Sequence, residues 1–444
     1  MRKFYSSIFF SPKFYWVFMG IILLFLTGYF VNLVFVIAKI SFLAFLVILV
    51  IDFILLYFTG GQIISNRETP EKLSNGDVND VSLTITNTFK FPVEIEIIDE
   101  LPVQFQARDF SIRCHCNPGE EKNFKYTLKP LQRGEYHFGL IRVFTGTFFG
   151  MFIRRFSSER QAMVKVYPSF LQMRKYELLA VSNRLEEIGI KKIRKIGIQN
   201  EFDQVRDYVT GDDYRTMNWK ATARKGNLMV NQYQDEKSQE VYCLIDMGRV
   251  MKMPFEGLTL LDYAINASLV ISNIALNKHD KAGIVPFSNR TETMLQADRR
   301  HTQMNKILEL LYNLETNFLE PNYELLYTLV RRNIKQRSLL VLFTNFESLP
   351  SMQRILPMLK KLARNHLLLT VFFQNTELNK LLLPQEHKLE NVYNSIVAEG
   401  FIFDKKLIVK ELQKNGIQAL LTEPRNLNVN VINKYLEFKS IGLI

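Results

Sequence analysis

Cysteine is scarce in this chain, with three in 444 residues. That excludes a disulfide-stapled scaffold and suits a reducing compartment. Glycine numbers 20 and proline 14, too few for a collagen-like or linker-dominated polymer. Familiar catalytic signatures are missing too. There is no Gly-x-x-x-x-Gly-Lys-Ser/Thr phosphate loop, no His-Glu-x-x-His and no Gly-x-Ser-x-Gly elbow. The six histidines are scattered, with no pair at helical metal spacing. What is present is a basic chain of 56 Lys and Arg against 44 Asp and Glu, net +12, with 47% hydrophobic residues. The hydrophobic share excludes a disordered polymer. A mean hydropathy of −0.02 averages two unlike regions.

The oily region comes first. Across the 45 residues from Phe14 to Phe58 only Lys39 and Asp52 carry charge. As helix this stretch would measure about 68 Å, against about 30 Å for a hydrocarbon core. Two crossings with a tight turn are therefore expected, over residues 14–31 and 38–58, with Asn32 at the turn. Lys39 would snorkel to the interface, and Tyr15, Trp16 and Tyr57 would sit there as aromatic anchors. A cleaved signal peptide would have a shorter apolar core and a small-residue cleavage site, and the sequence offers neither. Arg2, Lys3 and Lys13 precede the first crossing, so positive charge would hold the N-terminus in the cytoplasm and return the chain there. The expectation is a multi-pass protein of the bacterial cytoplasmic membrane with its bulk in the cytoplasm, in contact with lipid through the hairpin.

Residues 61–170 read as strands. Val81–Thr86 and Val93–Ile97 alternate apolar and polar residues, and short runs recur at residues 123–128, 134–138 and 162–167. Turn signals between them, such as Asn75-Gly76-Asp77 and Asn117-Pro118-Gly119, indicate a β-sandwich-like module. Cys114-His115-Cys116 invites a metal reading. In a strand the two cysteines share one face and the histidine the other, so the three do not converge.

From 171 to 239 a helical stretch (171–190) leads to the basic run Lys191-Lys192-Ile193-Arg194-Lys195. The run lacks the aromatic interleaving or motif of a nucleic-acid site, so no nucleic-acid partner is expected. A solvated loop or contact with anionic lipid are the two uses left to it. Then comes a dense segment, Glu201-Phe-Asp-Gln-Val-Arg-Asp-Tyr-Val-Thr-Gly-Asp-Asp-Tyr-Arg215, continuing through Trp219-Lys220 to Ala223-Arg224. Asp212 and Asp213 beside Arg215 and Arg224 are suited to an ion network, Gly211 to a tight turn and Trp219 to a cover over both. Such a network would lock the loop onto the following sheet, or present a docking or catalytic surface.

After Glu240 the pattern changes. Apolar runs at 241–246, 281–288, 338–344, 366–373 and 418–422 alternate with helical stretches at 260–277 (amphipathic), 301–314, 323–335, 351–364 and 404–415. This βαβ alternation over 240–444 implies a mostly parallel sheet covered on both faces. Cys243 lies inside an apolar strand and reads as core.

The segment 201–224 resembles the signature of the bacterial domain of unknown function 58 family. The matching residues are Arg206, Tyr208, Gly211, Asp212, Asp213, Arg215, Trp219, Lys220, Ala223 and Arg224. The order of membrane hairpin (1–60), β module (61–170), linker with signature (171–239) and α/β region (240–444) resembles the family as well. The resemblance implies an α+β multidomain protein whose last domain is von Willebrand factor A-like. Many such domains bind Mg²⁺ through Asp-x-Ser-x-Ser, a threonine and a later aspartate, and hard cations want such oxygens. Here Asp246 is kept, but Gly248 and Val250 replace both serines and Asn345 stands where an aspartate would be, with Arg249 close by. No metal and no cofactor are therefore expected, and Asp246 would cap a loop or pair with a base.

The resemblance further implies partnership with MoxR-type AAA+ ATPases and other membrane-bound von Willebrand A proteins. The leading expectation is a non-catalytic membrane adaptor, the partner hydrolysing ATP and the strand-end face of the α/β domain carrying the contacts. A rival is a membrane-proximal hydrolase or transferase using Asp212, Asp213 and Asp246 as acids, in a cleft holding carboxylates of raised proton affinity. A third is a metal-dependent ligand-binding module.

Overall fold

A computed structural model describes residues 7–107, 110–158, 162–181, 201–234, 238–290, 293–300, 302–316, 318–376, 378 and 389–443. The basic run 191–195 and the N-terminal Arg2 and Lys3 lie outside the described residues. The chain divides between Tyr167 and Pro168 into two compact units.

The first unit opens with strand β1 (Ile8–Phe10), which the composition had concealed, and helix α1 (Pro12–Gly28). Ser11 caps α1 by accepting from the Lys13 N–H at 3.2 Å, and Pro12 occupies the first helical turn, where its missing N–H is harmless. Helix α2 runs Asn32–Tyr57. The break thus falls at residues 29–31, and α2 begins six residues before the expected 38, with Asn32 as its first residue rather than in the turn. Of the two helices only α2 is long and apolar enough by itself to cross a membrane. The helices run along each other through the ring pairs Phe25–Phe35, Phe25–Phe42 and Phe18–Phe45. Gly28 allows the closest approach, since a Cβ there would lie 2.9 Å from Phe35 Cα.

Ten more strands follow: β2 (Ile63–Glu68), β3 (Lys72–Ser74), β4 (Asn79–Asn87), β5 (Val93–Asp99), β6 (Ser111–Cys116), β7 (Glu121–Leu128), β8 (Gly134–Phe138), β9 (Ile141–Gly146), β10 (Phe152–Ser158) and β11 (Ala162–Tyr167). They form sheets of order β1-β10-β9-β5-β6, β2-β4-β7 and β3-β11-β8. Alternating residues explain the packing: Leu83 and Ile85 of β4 meet Val93, Ile95 and Ile97 of β5 and Val143 of β9 in one core. Cys116 is buried in that core and Cys114 packs beside it, while His115 is exposed on the other face. An Arg67–Asp99 ion pair is buried nearby, satisfied further by Tyr126 Oη at 2.5 Å from Asp99 and by Arg67 donating to the Gly139 carbonyl at 3.0 Å.

Asp52, the acid inside the oily stretch, is fully buried. Its carboxylate accepts from the Thr147 hydroxyl and from the Met151 and Phe152 N–H groups at 2.9 and 2.8 Å. β1 in turn pairs antiparallel with β10, Phe10 opposite Phe152. Both ends of the α1–α2 segment are thereby fastened to one edge of the β unit.

The second unit begins with α3 (Phe170–Val181) and the antiparallel pair β12 (Glu201–Asp207) and β13 (Met229–Gln234), with short helix α4 (Trp219–Lys225) between them. Its main sheet takes β14 (Glu240–Asp246), β17 (Lys281–Phe287), β18 (Leu295–Asp298), β19 (Leu339–Phe343), β20 (Leu367–Phe373) and β21 (Gln418–Thr422), with the small pair β15 (Pro254–Phe255) and β16 (Leu258–Thr259) outside it. The order is β18-β17-β14-β19-β20-β21, parallel except for the edge strand β18. Val241, Cys243 and Ile245 of β14 face one core, and Tyr242 and Leu244 face the other. A strand apolar on both faces is what a sheet covered on both sides requires. Helices α5 (Leu260–Asn277), α6 (Thr302–Tyr312) and α10 (Leu427–Ile441) cover the first face. Helices α7 (Tyr323–Asn333), α8 (Leu349–Asn365) and α9 (Leu389–Lys414) cover the second.

Helix α5 departs from expectation. It reads as amphipathic, but its polar side is buried too, because α3 lies over it. Asn266 accepts from the Ser169 N–H at 2.9 Å, Asn273 donates to Glu177 at 3.3 Å, and Ser268 bonds the Ala264 carbonyl. Buried polar groups with partners carry little penalty.

Candidate functional site

Parallel strands deliver the ends of β14 and β19 to one crevice, at the point where the chain reverses its direction of winding. Asp246, the last residue of β14, is fully buried there. It accepts from Thr344 Oγ1 at 2.6 Å, from the Gly248 N–H at 2.7 Å and from Tyr323 Oη at 3.2 Å. Burial pushes its carboxyl up to about 6, against the pull of these three donors. The Tyr323 phenol, equally buried and facing that carboxyl, is held well above its ordinary range. Asp246 caps the 246–248 turn; no base pairs with it among the described residues.

The donor set does not fit a divalent cation. Gly248 and Val250 offer no side-chain oxygen, and a Cβ at 248 would stand 2.6 Å from Pro321 Cδ and 3.0 Å from Asp246 Oδ1. A serine at that position would have to displace Pro321. Arg249 turns outward, more than half exposed, toward Glu347 at 3.8 Å. Asn345 is buried, and its Oδ1 accepts from the Lys405 ammonium at 2.7 Å. An ammonium therefore already occupies the space beside that oxygen. Among the described residues no cluster of three His, Cys, Asp or Glu side chains is placed to hold a metal.

Lys405 escaped the sequence reading. It belongs to α9, donates also to the Phe346 carbonyl and lies over the Phe372 ring at 5.7 Å. Desolvation draws its ammonium down to about 8, partly opposed by the Glu347 charge. A signal for it existed: Ala398, Ile408 and Leu412 are buried on the stripe to which Lys405 belongs, so the lysine interrupts an apolar helical face. Lys405 and Asn345 border a cavity of about 600 Å³ over the carboxyl ends of β19, β20 and β21.

The signature residues are arranged differently from expectation. Arg206 grips Asp212 through two parallel bonds, of 2.9 and 2.7 Å, and Asp212 also accepts from the Val209 N–H at 3.0 Å. That geometry holds the Asp212 carboxyl below its usual range, chiefly through Arg206. Gly211, at φ +115°, turns the loop in a conformation that side chains disfavour. Asp213 instead caps the short 214–216 turn by accepting from the Arg215 N–H at 3.0 Å. Arg215 lies against the Tyr214 ring at 5.7 Å. Among the described residues, neither Arg215 nor Arg224 pairs with the two aspartates, so the four-membered ion network does not form. Tyr208 is held through its backbone, its N–H donating to the Leu228 carbonyl. Trp219 is not a buried lid: it is 68% exposed at the start of α4, with Lys220 exposed beside it and Asn218 capping the helix. Tyr214 is 69% exposed.

The three acids of the enzyme rival thus differ in kind: Asp246 is buried with raised proton affinity, Asp212 is tied to an arginine, and Asp213 caps a turn. Against known proteins, the CARDB domain of the PF1109 protein from Pyrococcus furiosus is 12% identical, covering 24% of this chain and 88% of that domain, with a TM-score of 0.18. An α2-macroglobulin fragment from Escherichia coli is 15% identical over 24% of this chain and 17% of its own, with a TM-score of 0.21. Likenesses this faint bear on neither fold nor function. The uncharacterized protein YeaD of Bacillus subtilis (strain 168) is 28% identical over 190 residues, 41% of this chain; the chain spans 47% of that relative's length. Residues 204–385, which include both the signature segment from Arg206 onward and the Asp246 crevice, match the family described as protein of unknown function DUF58.

Proposed function

We propose that this chain is a membrane-anchored, non-catalytic interaction protein. It works with a MoxR-type AAA+ ATPase, and with other membrane-bound von Willebrand A proteins, in assembling or maturing membrane or envelope complexes. The observation that carries the reading is the surface of the 201–234 segment. Val209, Tyr214, Trp219 and Leu228 are exposed there at 61, 69, 68 and 45%, among the exposed cations Arg215, Lys220 and Arg224. Apolar side chains concentrated on a surface mark interaction sites, and Trp, Tyr and Arg dominate binding energy where they occur. The α/β unit is read as von Willebrand factor A-like. Its strand order with a single antiparallel edge supports this, and its crevice is built of residues that fasten loops.

The membrane reading is a two-crossing anchor in the bacterial cytoplasmic membrane, with the bulk of the chain cytoplasmic. α1, at 17 residues, is at the lower limit of what spans. β1 before it and Asp52 near the end of α2 are both fastened to the β unit. A chain that leaves one module and returns to it favours an even number of crossings.

Crosslinking pull-downs from solubilised membranes, with and without ATP, test the proposal. The wild-type chain should enrich an AAA+ ATPase, and Trp219→Ala and Tyr214→Ala should lose it with an unchanged melting temperature. Absence of any ATPase from the wild-type capture would reject the adaptor role.

A further inference from the structure

We propose that the cavity over the carboxyl ends of β19, β20 and β21 binds an amphipathic monocarboxylate. Its carboxylate would lie on the Lys405 ammonium and its apolar body among the aromatic rings of the wall. The inference is independent of the adaptor reading. At about 600 Å³ the cavity lies within the range of small-molecule sites, about 300–1,000 Å³, which are mostly apolar with a few converging polar groups. Phe255, Leu260, Phe373, Phe401, Ile402 and Leu421 supply the apolar wall.

The polar element is built rather than incidental. An ammonium has three donors. Lys405 gives one to Asn345 Oδ1 at 2.7 Å and one to the Phe346 carbonyl, which pins its position on the cavity wall. Both acceptors are neutral. Among the described residues no carboxylate lies within 4.0 Å of the ammonium; Glu347, which also borders the cavity and whose field reaches the ammonium, is 55% exposed and faces Arg249. A cation drawn out of water beside neutral acceptors is costly unless an anion completes its shell. A ligand carboxylate on the third donor does this in a single contact. A dianion such as a phosphate monoester would want the arginines that recognise it bidentately, and among the described residues the cavity wall holds none; its second cation, Lys406, is exposed.

The probe is 3-phenylpropionate, with 3-phenylpropanamide as its uncharged counterpart, titrated calorimetrically into the full chain in lipid nanodiscs. The acid should bind saturably and the amide about tenfold more weakly or worse, a difference of about 1.4 kcal/mol. Lys405→Met, which keeps the stem and removes the charge, should abolish the preference for the acid. A measurement that needs no variant accompanies these. The acid, but not the amide, should protect Lys405 of the wild-type chain from acetylation by acetic anhydride, read by mass spectrometry. Equal binding of acid and amide, a preference that survives in Lys405→Met, or unprotected Lys405 at saturation would overturn the assignment. Absence of saturable binding would overturn it as well and leave the cavity to a segment of a partner protein.

Discussion

Replacing Asp246 by asparagine should make the protein more stable at neutral pH, although it removes a buried acid with three hydrogen-bond partners. The folded carboxyl titrates at about 6 against an ordinary 3.8, because desolvation outweighs the donors from Thr344, Gly248 and Tyr323. The native state therefore binds more protons than the unfolded chain between these two values, and stability falls as pH rises through that window. At about 1.36 kcal/mol for each pH unit, the loss is about 3 kcal/mol, complete above pH 6. Asparagine imitates the protonated acid and escapes the penalty. Below pH 4 the variant and the parent should melt together. Between pH 4 and 6 their difference should open, and above 6 it should level off. For a unit of this size about 2–4 °C accompanies each kcal/mol, so the plateau should not exceed about 12 °C. Scanning fluorimetry of the full chain from pH 4 to 8 measures it. A difference that does not vary with pH, or a variant less stable at pH 7 than at pH 4 relative to the parent, would refute the reasoning.

Asp52→Ala should strip an acceptor from the Thr147 hydroxyl and from two backbone N–H groups. Unsatisfied buried donors cost about 1–3 kcal/mol each, so limited proteolysis should cut near residues 147–152 in the variant and not in the parent. Gly248→Ser, which restores a serine of the metal-binding pattern, should lower stability by about 1–3 kcal/mol as Pro321 is displaced; calorimetry with Mg²⁺ should show no binding gained. Arg206→Ala should free the Asp212 carboxylate from its clamp. The check is faster hydrogen exchange at the Val209 N–H, which that carboxylate accepts.

Some of this was open to inspection residue by residue. The strands Lys281–Phe287 and Leu367–Phe373 announce themselves as apolar runs between helices, since a strand buried on both faces has few polar positions to hide it. Helix α5 was legible in extent, Leu260–Asn277, but not in environment: its serines and asparagines pointed to solvent on paper, and α3 covers them in space. β1 is three residues long and too short to show a period. Within the site, the loss of the serines at 248 and 250 is plain in the chain, whereas the reason for it at 248, the contact with Pro321, is not.

Periodicity and composition alone established an oily beginning, an alternating β region and a βαβ remainder, because each pattern repeats over a few neighbouring residues and expresses burial directly. The tertiary structure alone decided which groups meet. Asp52 finds Thr147, Asp246 finds Thr344, and Lys405 finds Asn345 across separations of 95, 98 and 60 residues. It also left Trp219 in the open. Such pairings follow from the stacking of whole elements rather than from any local pattern. A lysine on an apolar helical stripe becomes a candidate ligand site only once a carbonyl, an amide and a cavity have been folded around it.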